Sequence, residues 1–438
     1  MSRITHVSSP LPGPKGAALL AEWHQYEANC VGYQAPVVWD HASGCVVTDV
    51  DGNVYLDWTS GVLVTNVGHC HPHLVEAIRT QAGRLLNNYE CPTPERIRAA
   101  KMMVETTPAN LDRTFFMSTG SEAVEAALRV AKRYTGNYEI ISFTGGFHGR
   151  TYAVASAGGL AGPKKQYGPI MPGVIKAVYP YCYRCPLGMS CESCSMECFD
   201  LMETMVRATS AGSLAALLVE PYQGAAGFIF PPAGWLKRLE SWARERGIIF
   251  ILDEVQSSYG RTGKMYAAEW EDLHPHLMSI GKGIGSGIPV SALMAEAEII
   301  GALGPGEMSS TSGGNPVSSA AVIAVLEIFQ QEDLIGNSAR VGAAMKARLV
   351  EMQEKCPYLG DVRGQGLVIG LELVKDKRTK EPAPDLVRRV IDESAQKGLL
   401  VGSVGIYGNV LRVAPPLVIT EAEAHESLDI MEEVLMHL

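Results

Sequence analysis

The chain has 438 residues, 47% of them apolar and 19% charged, and a formal net charge of −10. That length is enough for one large core plus a smaller one, and the ordinary globular composition excludes a coiled coil or a disordered chain. The acidic balance argues against nucleic acid or an anionic membrane as the main partner, and no apolar run reaches the roughly 18 residues that span a bilayer.

The opening stretch MSRITHVSSPLPGPKG lacks the apolar centre of a signal peptide and reads as a loose Pro/Gly arm, so a cytoplasmic location is expected. Over residues 40–58, the segment VVTDVDGNVYLDW alternates around an Asp51-Gly52 turn and predicts a small antiparallel unit. From about residue 70, apolar strands alternate with amphipathic helices. The strands expected are Arg113–Met117, Glu139–Phe143, Val174–Tyr179, Leu214–Val219, Ile248–Leu252, Met278–Ile280 and Ser291–Ala295. Continuous apolar runs between helical stretches predict an α/β fold with a mostly parallel sheet covered on both faces. Near residue 326 the pattern turns to helix, then to strands LVIGLEL and NVLRV, then to a last helix for which Thr420 and Glu423 form a capping box. The expected organisation is a large domain over 70–325, with 1–69 and 326–438 together forming a smaller α+β domain.

Five of the ten cysteines fall in Cys182–Cys198, CYRCPLGMSCESCSMEC, as two CxxC pairs and one more. In a chain without an export signal this is a metal-site spacing before it is a disulfide framework, although the pairs stand closer than in common zinc modules. The alternative is a surface excursion with reduced thiols. GHCHPH (His69, Cys70, His71, His73) also looks ligand-like. Its alternate spacing in a Pro-containing turn gives poor geometry for one metal, so a structural loop is expected and no metal site is assigned.

Chemistry concentrates at the ends of the expected strands. Met117 to Glu122 (MSTGSE) joins a strand to the helix EAVEAALRVAKRY, which Gly136 ends. Such a turn offers free backbone N–H groups and the positive end of a helix dipole to a phosphate, though a plain N-cap uses the same residues. In TGGFHGRT, Phe147 or His148 can stack on a planar ring. Glu220 ends LAALLV, and Asp253 ends GIIFIL and opens DEVQ, with Gln256 three residues on. Lys282 lies between Gly281 and Gly283 in LMSIGKGIGSG, where glycine lets the backbone approach closely. Asp-Glu after an apolar strand also occurs in ATPases, but the chain has no GxxxxGK[ST] loop. An amine and a carboxylate closing two buried strands point to pyridoxal phosphate: lysine forms the Schiff base, and the acid keeps the ring nitrogen protonated.

In order along nearly the whole chain, GHCHP, STGSEAVEAALRVAKRYTG, FHGRT, LVEPYQG, ILDEVQSSYGRTGK, SIGKGI, STSGGNP and LRVAPPL resemble the class III (subgroup II) pyridoxal-phosphate aminotransferases, the ornithine and 4-aminobutyrate transaminase family. The resemblance implies a fold-type I homodimer, or a dimer of dimers, with active sites at the subunit interface. It makes Lys282 the Schiff-base lysine and proton shuttle, Asp253 the partner of the pyridine nitrogen, and Gln256 the neighbour of the ring hydroxyl. Gly120 and Ser121 match the phosphate turn, Phe147 the stacking aromatic with His148 beside it, and Glu220 an acid near the cofactor. Thr311 matches the threonine that reaches the phosphate of the neighbouring subunit's cofactor. On the substrate side, Arg412 matches the arginine that clamps an α-carboxylate and Arg150 the one that binds a distal carboxylate; Val62 is assigned with them.

One departure stands out. Where ornithine and 4-aminobutyrate enzymes commonly carry a glutamate that pairs with the clamp arginine, EPYQGAAG has Ala225. The expected reaction is ping-pong transfer of an amino group from an ω- or α-amino acid to an α-keto acid. Amino-acid racemisation or epimerisation, or decarboxylating transamination, is the alternative on the same fold. A metal-binding or redox regulatory protein built on the Cys182–Cys198 cluster is the alternative from another class.

Overall fold

The structure is a computed structural model that describes residues 3–32, 34–190 and 193–438. Two compact units make up the chain. One is built from residues up to His71, Arg261–Gly263 and Asp333–Leu438, the other from Pro72–Gly260 and Lys264–Glu332.

The first unit begins with three antiparallel strands, β1 (Trp39–Ser43), β2 (Val46–Asp49) and β3 (Val54–Asp57), and the expected turn at Asp51-Gly52 joins the last two. Gly52 has φ +88°, a conformation that favours glycine. Buried Asp49 fixes the turn: its carboxylate accepts from Asn53 N, Asn53 Nδ2 and Tyr55 OH, each at 2.8 Å.

The second unit carries seven strands, β4 (Arg113–Met117), β5 (Glu139–Phe143), β6 (Val174–Ala177), β7 (Leu214–Val219), β8 (Ile249–Asp253), β9 (Leu277–Ile280) and β10 (Ser291–Ala295). Their order is β4-β10-β9-β8-β7-β5-β6; β9 to β6 run parallel, and β10 is antiparallel to both its neighbours. Every position of β8 and β10 is buried, as expected of strands covered on both faces. The helix Gly120–Thr135 packs its Ala/Val/Leu stripe (Ala123, Ala127, Leu128, Ala131) against the sheet and ends at Gly136, φ +70°. The run Val174–Tyr179 leaves the sheet earlier than its sequence predicts. Pairing stops at Ala177, because Tyr179 turns to pack its ring against Phe143 and Trp235, with centroids 5.9 and 5.0 Å away. The helix Pro316–Gln331 runs unbroken through residue 326.

The rest of the first unit holds β11 (Leu359–Gln365), β12 (Val368–Leu373), β13 (Leu399–Leu400), β14 (Gly402–Val404) and β15 (Val410–Val413). Four of them form the antiparallel sheet β11-β12-β15-β14, while β13 pairs in parallel with β3 and so joins the N-terminal strands to the C-terminal part of the chain. Thr420 and Glu423 form the expected reciprocal cap, with Thr420 N donating to Glu423 Oε2 at 2.7 Å and Glu423 N to Thr420 Oγ1 at 3.2 Å. Arg261 explains why three residues from mid-chain belong to this unit. Fully buried, its guanidinium donates to Leu367 O (3.0 Å), Pro415 O (2.6 Å) and Asn66 Oδ1 (2.8 Å).

Candidate active site

Strands β9, β8, β7 and β5 are neighbours and parallel, so their carboxyl ends open on one side of the sheet. In open α/β sheets that is where ligands bind. Lys282 follows β9, Asp253 ends β8, Glu220 follows β7, and Phe147 and His148 follow β5. A cavity of ≈ 210 Å³ is lined by all five, together with Gly120, Ser121 and Gln256.

Each wall has a local cause. At the helix start, Glu122 Oε2 accepts from the amides of Ser118 and Thr119, both at 2.9 Å, and Thr119 Oγ1 caps Glu122 N at 3.2 Å. The Gly120 and Ser121 amides remain as first-turn donors at the positive end of the helix, a seat for a phosphate. Gly120 also has to be small, since a Cβ there would stand 2.7 Å from Val255 Cγ1; a Cβ on Gly281, next to Lys282, would stand 3.1 Å from the same atom. Lys282 takes φ +49°, an uncommon backbone for a residue with a side chain.

Asp253, 5% exposed, accepts from Val255 N at 3.1 Å and pairs with His148 Nδ1 at 2.7 Å. Glu220 spreads its carboxylate over two backbone amides, Phe147 N at 2.9 Å and Gly224 N at 3.1 Å. Burial pushes Glu220 up to about 7; His148 pulls it down and Asp253 adds to the rise. Gln256 Oε1 is buried without a hydrogen-bond partner, which fits an acceptor waiting for a ligand hydroxyl. A phosphate seat, an acid, a lysine, a half-buried aromatic and an unsatisfied acceptor around one cavity fit the parts of pyridoxal phosphate.

The other residues singled out in the sequence lie elsewhere. Arg150 lines a separate cavity of ≈ 690 Å³ with Tyr152, Lys164 and Tyr167, and its guanidinium carbon stands 5.7 Å from the Phe147 ring centroid. Thr311 is exposed in the turn before the helix Pro316–Gln331. Val62 and Arg412 belong to the first unit; Val62 is 45% exposed with φ +73°. Arg412 sits on β15 with Gly370 and Gly402 as its cross-strand neighbours, 3% exposed, and its Nε and Nη2 have no hydrogen-bond partner. Burial pulls the guanidinium down to about 10, against the attraction of Asp57.

Sequence reasoning passed over Tyr222, Val255 and Ser257, which also line the smaller cavity, and left Ala225 out of it. The signal for Val255 was its place two residues after Asp253. Glu254, by contrast, faces away from the cavity: it is fully buried and accepts from Ser257 Oγ at 2.5 Å and Ala268 N at 2.7 Å.

The ligand-like clusters have their own arrangements. His69 Nε2 pairs with Asp57 at 2.9 Å, whereas His73 Nε2 pairs with Glu327 at 2.7 Å. Cys185, Cys194 and Cys198 are free thiols, and Cys191 lies outside the described residues. Among the described residues no three His, Cys, Asp or Glu side chains form a metal-binding group, and no helix is long and apolar enough to cross a membrane.

A mostly parallel sheet with a lysine, two acids and a helix N-terminus at its carboxyl edge defines an enzyme that handles amines. The sequence pattern of the aminotransferase class-III family matches residues 29–435, and the chain belongs to that family. It is 37% identical over 404 residues to a leucine/methionine racemase from Thermococcus litoralis, covering 92% of this chain and 91% of that protein. With a 4-aminobutyrate aminotransferase from Mycobacterium tuberculosis it shares 35% identity over 440 residues, covering 98% and 97%. An amine transaminase from an uncultivated Pseudomonas species, solved in its PLP-bound form, superposes with a TM-score of 0.87 at 30% identity, covering 98% of this chain and 97% of that one. The fold is that of the transaminases, and the protein is an aminotransferase.

Proposed function

We propose that this aminotransferase holds pyridoxal 5′-phosphate at Lys282, takes α-amino acids as donors and an α-keto acid as acceptor in alternating half-reactions, and works as a cytoplasmic homodimer. The observation that carries the reading is Lys282 and Asp253 at the ends of neighbouring parallel strands, around a cavity that also meets a helix N-terminus.

When bound, the coenzyme supplies an aldehyde that captures amines and a ring that accepts the electron pair left by a broken C–H bond. The chain's own residues do the rest. Gly120 and Ser121 amides would hold the phosphate, and Gln256 Oε1 would accept from the ring hydroxyl. Phe147 would stack on the ring, and Asp253 would keep the proton on its nitrogen. Lys282 Nζ would serve as the base that moves a proton at the substrate's α-carbon. Arg412, buried with two unpartnered nitrogens, is ready for a carboxylate, which favours amino acids over plain amines. Ala225 lines the Lys282 cavity where a gating glutamate is common, so no acid from that position competes for the clamp. By the family resemblance, Arg150 and Val62 would serve the substrate's distal end, and Thr311 would reach the coenzyme phosphate of a second subunit.

Borohydride reduction of the reconstituted protein, followed by peptide mapping, tests the reading: a pyridoxyl group on the Lys282 peptide is expected, and a colourless protein with that peptide unlabelled refutes it. A second reading, amino-acid racemisation, is favoured by Ala225 and by the name of the Thermococcus litoralis relative. Incubation with one enantiomer and no keto acid separates the two, since only a racemase inverts it catalytically.

A further inference from the structure

Residues 60–63 form one turn of left-handed helix. Ser60, Gly61, Val62 and Leu63 have φ of +47°, +57°, +73° and +61°. Val62 N and Leu63 N both donate to Thr59 O at 2.9 Å, and Val64 N donates to Ser60 O at 2.8 Å. Residues with a Cβ enter this region singly, because the Cβ crowds the following carbonyl, and a β-branched residue there is an outlier. Val62 is also 45% exposed, so its own packing offsets little of that cost. Such a backbone persists only where its surroundings over-determine it.

The surroundings here converge on Arg261. Fully buried Ser60 donates from Oγ to Ala414 O at 2.6 Å, and Ala414 N donates to Trp58 O at 2.8 Å. The Arg261 guanidinium lies across this junction. Its Nη2 donates to Ser60 Oγ at 3.4 Å and to Asn66 Oδ1 at 2.8 Å, so it holds the turn at its start and beyond its end. Its Nη1 donates to Pro415 O at 2.6 Å and to Leu367 O at 3.0 Å, reaching the segment that follows Arg412 and the residue before β12. All these residues lie in the first unit. None of the four acceptors is a carboxylate. Burying a guanidinium among neutral oxygens is costly, and an apolar side chain would fill the space at lower cost; what the planar fork supplies is fixed geometry. We propose that Arg261 is a positioning residue for amino-acid recognition, holding the left-handed turn that carries Val62 and the strand end that carries Arg412 as one piece. Val62 follows Ser60 by two residues and Arg412 precedes Ala414 by two, so the Ser60–Ala414 junction sets the spacing of the two side chains. The inference rests on the proposed substrate roles of Arg412 and Val62, and adds the residue that fixes their distance.

The test compares donors that differ only in the α-carboxylate: alanine against ethylamine, and leucine against 3-methylbutylamine. Arg261→Lys keeps the charge but cannot fork to both sides of the junction. Ser60→Gly removes the hydroxyl at the junction while relaxing the backbone there, so the comparison stands even if the lysine variant fails to fold. For either variant, kcat/KM is expected to fall about 10–100-fold for the amino acids, mostly through KM, and much less for the amines. In the coenzyme-free protein, hydrogen exchange is expected to quicken in peptides spanning 59–68 and 410–417 and to stay unchanged around β8. A merely structural arginine lowers both donor classes alike; that result, or unchanged exchange in those peptides, overturns the proposal. If the wild type itself does not prefer the amino acids, the clamp reading of Arg412 fails and takes this inference with it. A wild-type preference that both variants retain removes the positioning role alone.

Discussion

Arg412→Met separates stability from function. The guanidinium is 3% exposed, its Nε and Nη2 are unpartnered, and burial lowers it from the usual guanidinium range to about 10. At about 1.4 kcal/mol per pKa unit, the folded chain carries a penalty of about 3 kcal/mol for keeping this group charged. The sign follows from a cation whose folded pKa lies below its unfolded one: the penalty is complete below about pH 10 and fades as the pH rises toward the unfolded guanidinium's value. Methionine keeps the apolar stem between Gly370 and Gly402 and removes the charge. Asp57 loses an attraction but keeps Thr59 N at 2.7 Å and His69 at 2.9 Å. The net gain expected is about 1–3 kcal/mol, read as a thermal midpoint roughly 1–3 °C higher in the ligand-free protein. Losing a buried bidentate partner for a carboxylate costs about 2–5 kcal/mol, so KM for an α-amino acid rises on the order of 100-fold while a plain amine is little affected. Differential scanning calorimetry and steady-state kinetics with matched donors check both halves. A variant less stable than the wild type, or an unchanged KM for amino acids, refutes the reasoning.

Gly120→Ala puts a methyl 2.7 Å from Val255 Cγ1, beside the residue whose amide bonds Asp253. The expected cost is about 1–3 kcal/mol in urea unfolding, with Val255→Ala in the same chain recovering most of it. Glu254, which burial raises to about 7, favours folding while protonated, and that advantage is lost as the pH rises from 4.5 through 7. Glu254→Gln is therefore expected to gain up to about 3 kcal/mol over the wild type across that window in pH-dependent denaturation, and a constant difference would count against the account. Ala225→Glu restores the acid that the family commonly carries, so the ratio of kcat/KM for ω-amino to α-amino donors should rise. Lys282→Ala is expected to abolish the visible absorbance of the reconstituted protein and nearly all turnover; normal turnover would end the proposal.

The legible parts were those set by local patterning. The strands ending at Asp253 and Ile280 announce themselves as apolar runs closed by a charge or a glycine. The cap at Thr420 is visible because a Thr followed three residues later by Glu satisfies two helix amides reciprocally. Other features depended on partners far along the chain. The early end of β6 needs Trp235, 56 residues past Tyr179, and the burial of Arg261 needs carbonyls from Leu367 and Pro415. Nothing near His148 announces that its ring bonds Asp253, 105 residues away.

The amino-acid order alone determined which residue types close which strands, because period, caps and glycines act over a few residues. It thereby supplied a lysine, two acids and a phosphate-ready helix start. Tertiary structure decided which strands are neighbours, and so set Lys282, Asp253 and Glu220 around one cavity while leaving Glu254, next in sequence to Asp253, facing the opposite way. It also decided the charges. Whether a carboxyl ionises near 4 or near 7 depends on the water that surrounding elements exclude and the charges they bring, and those belong to the folded chain.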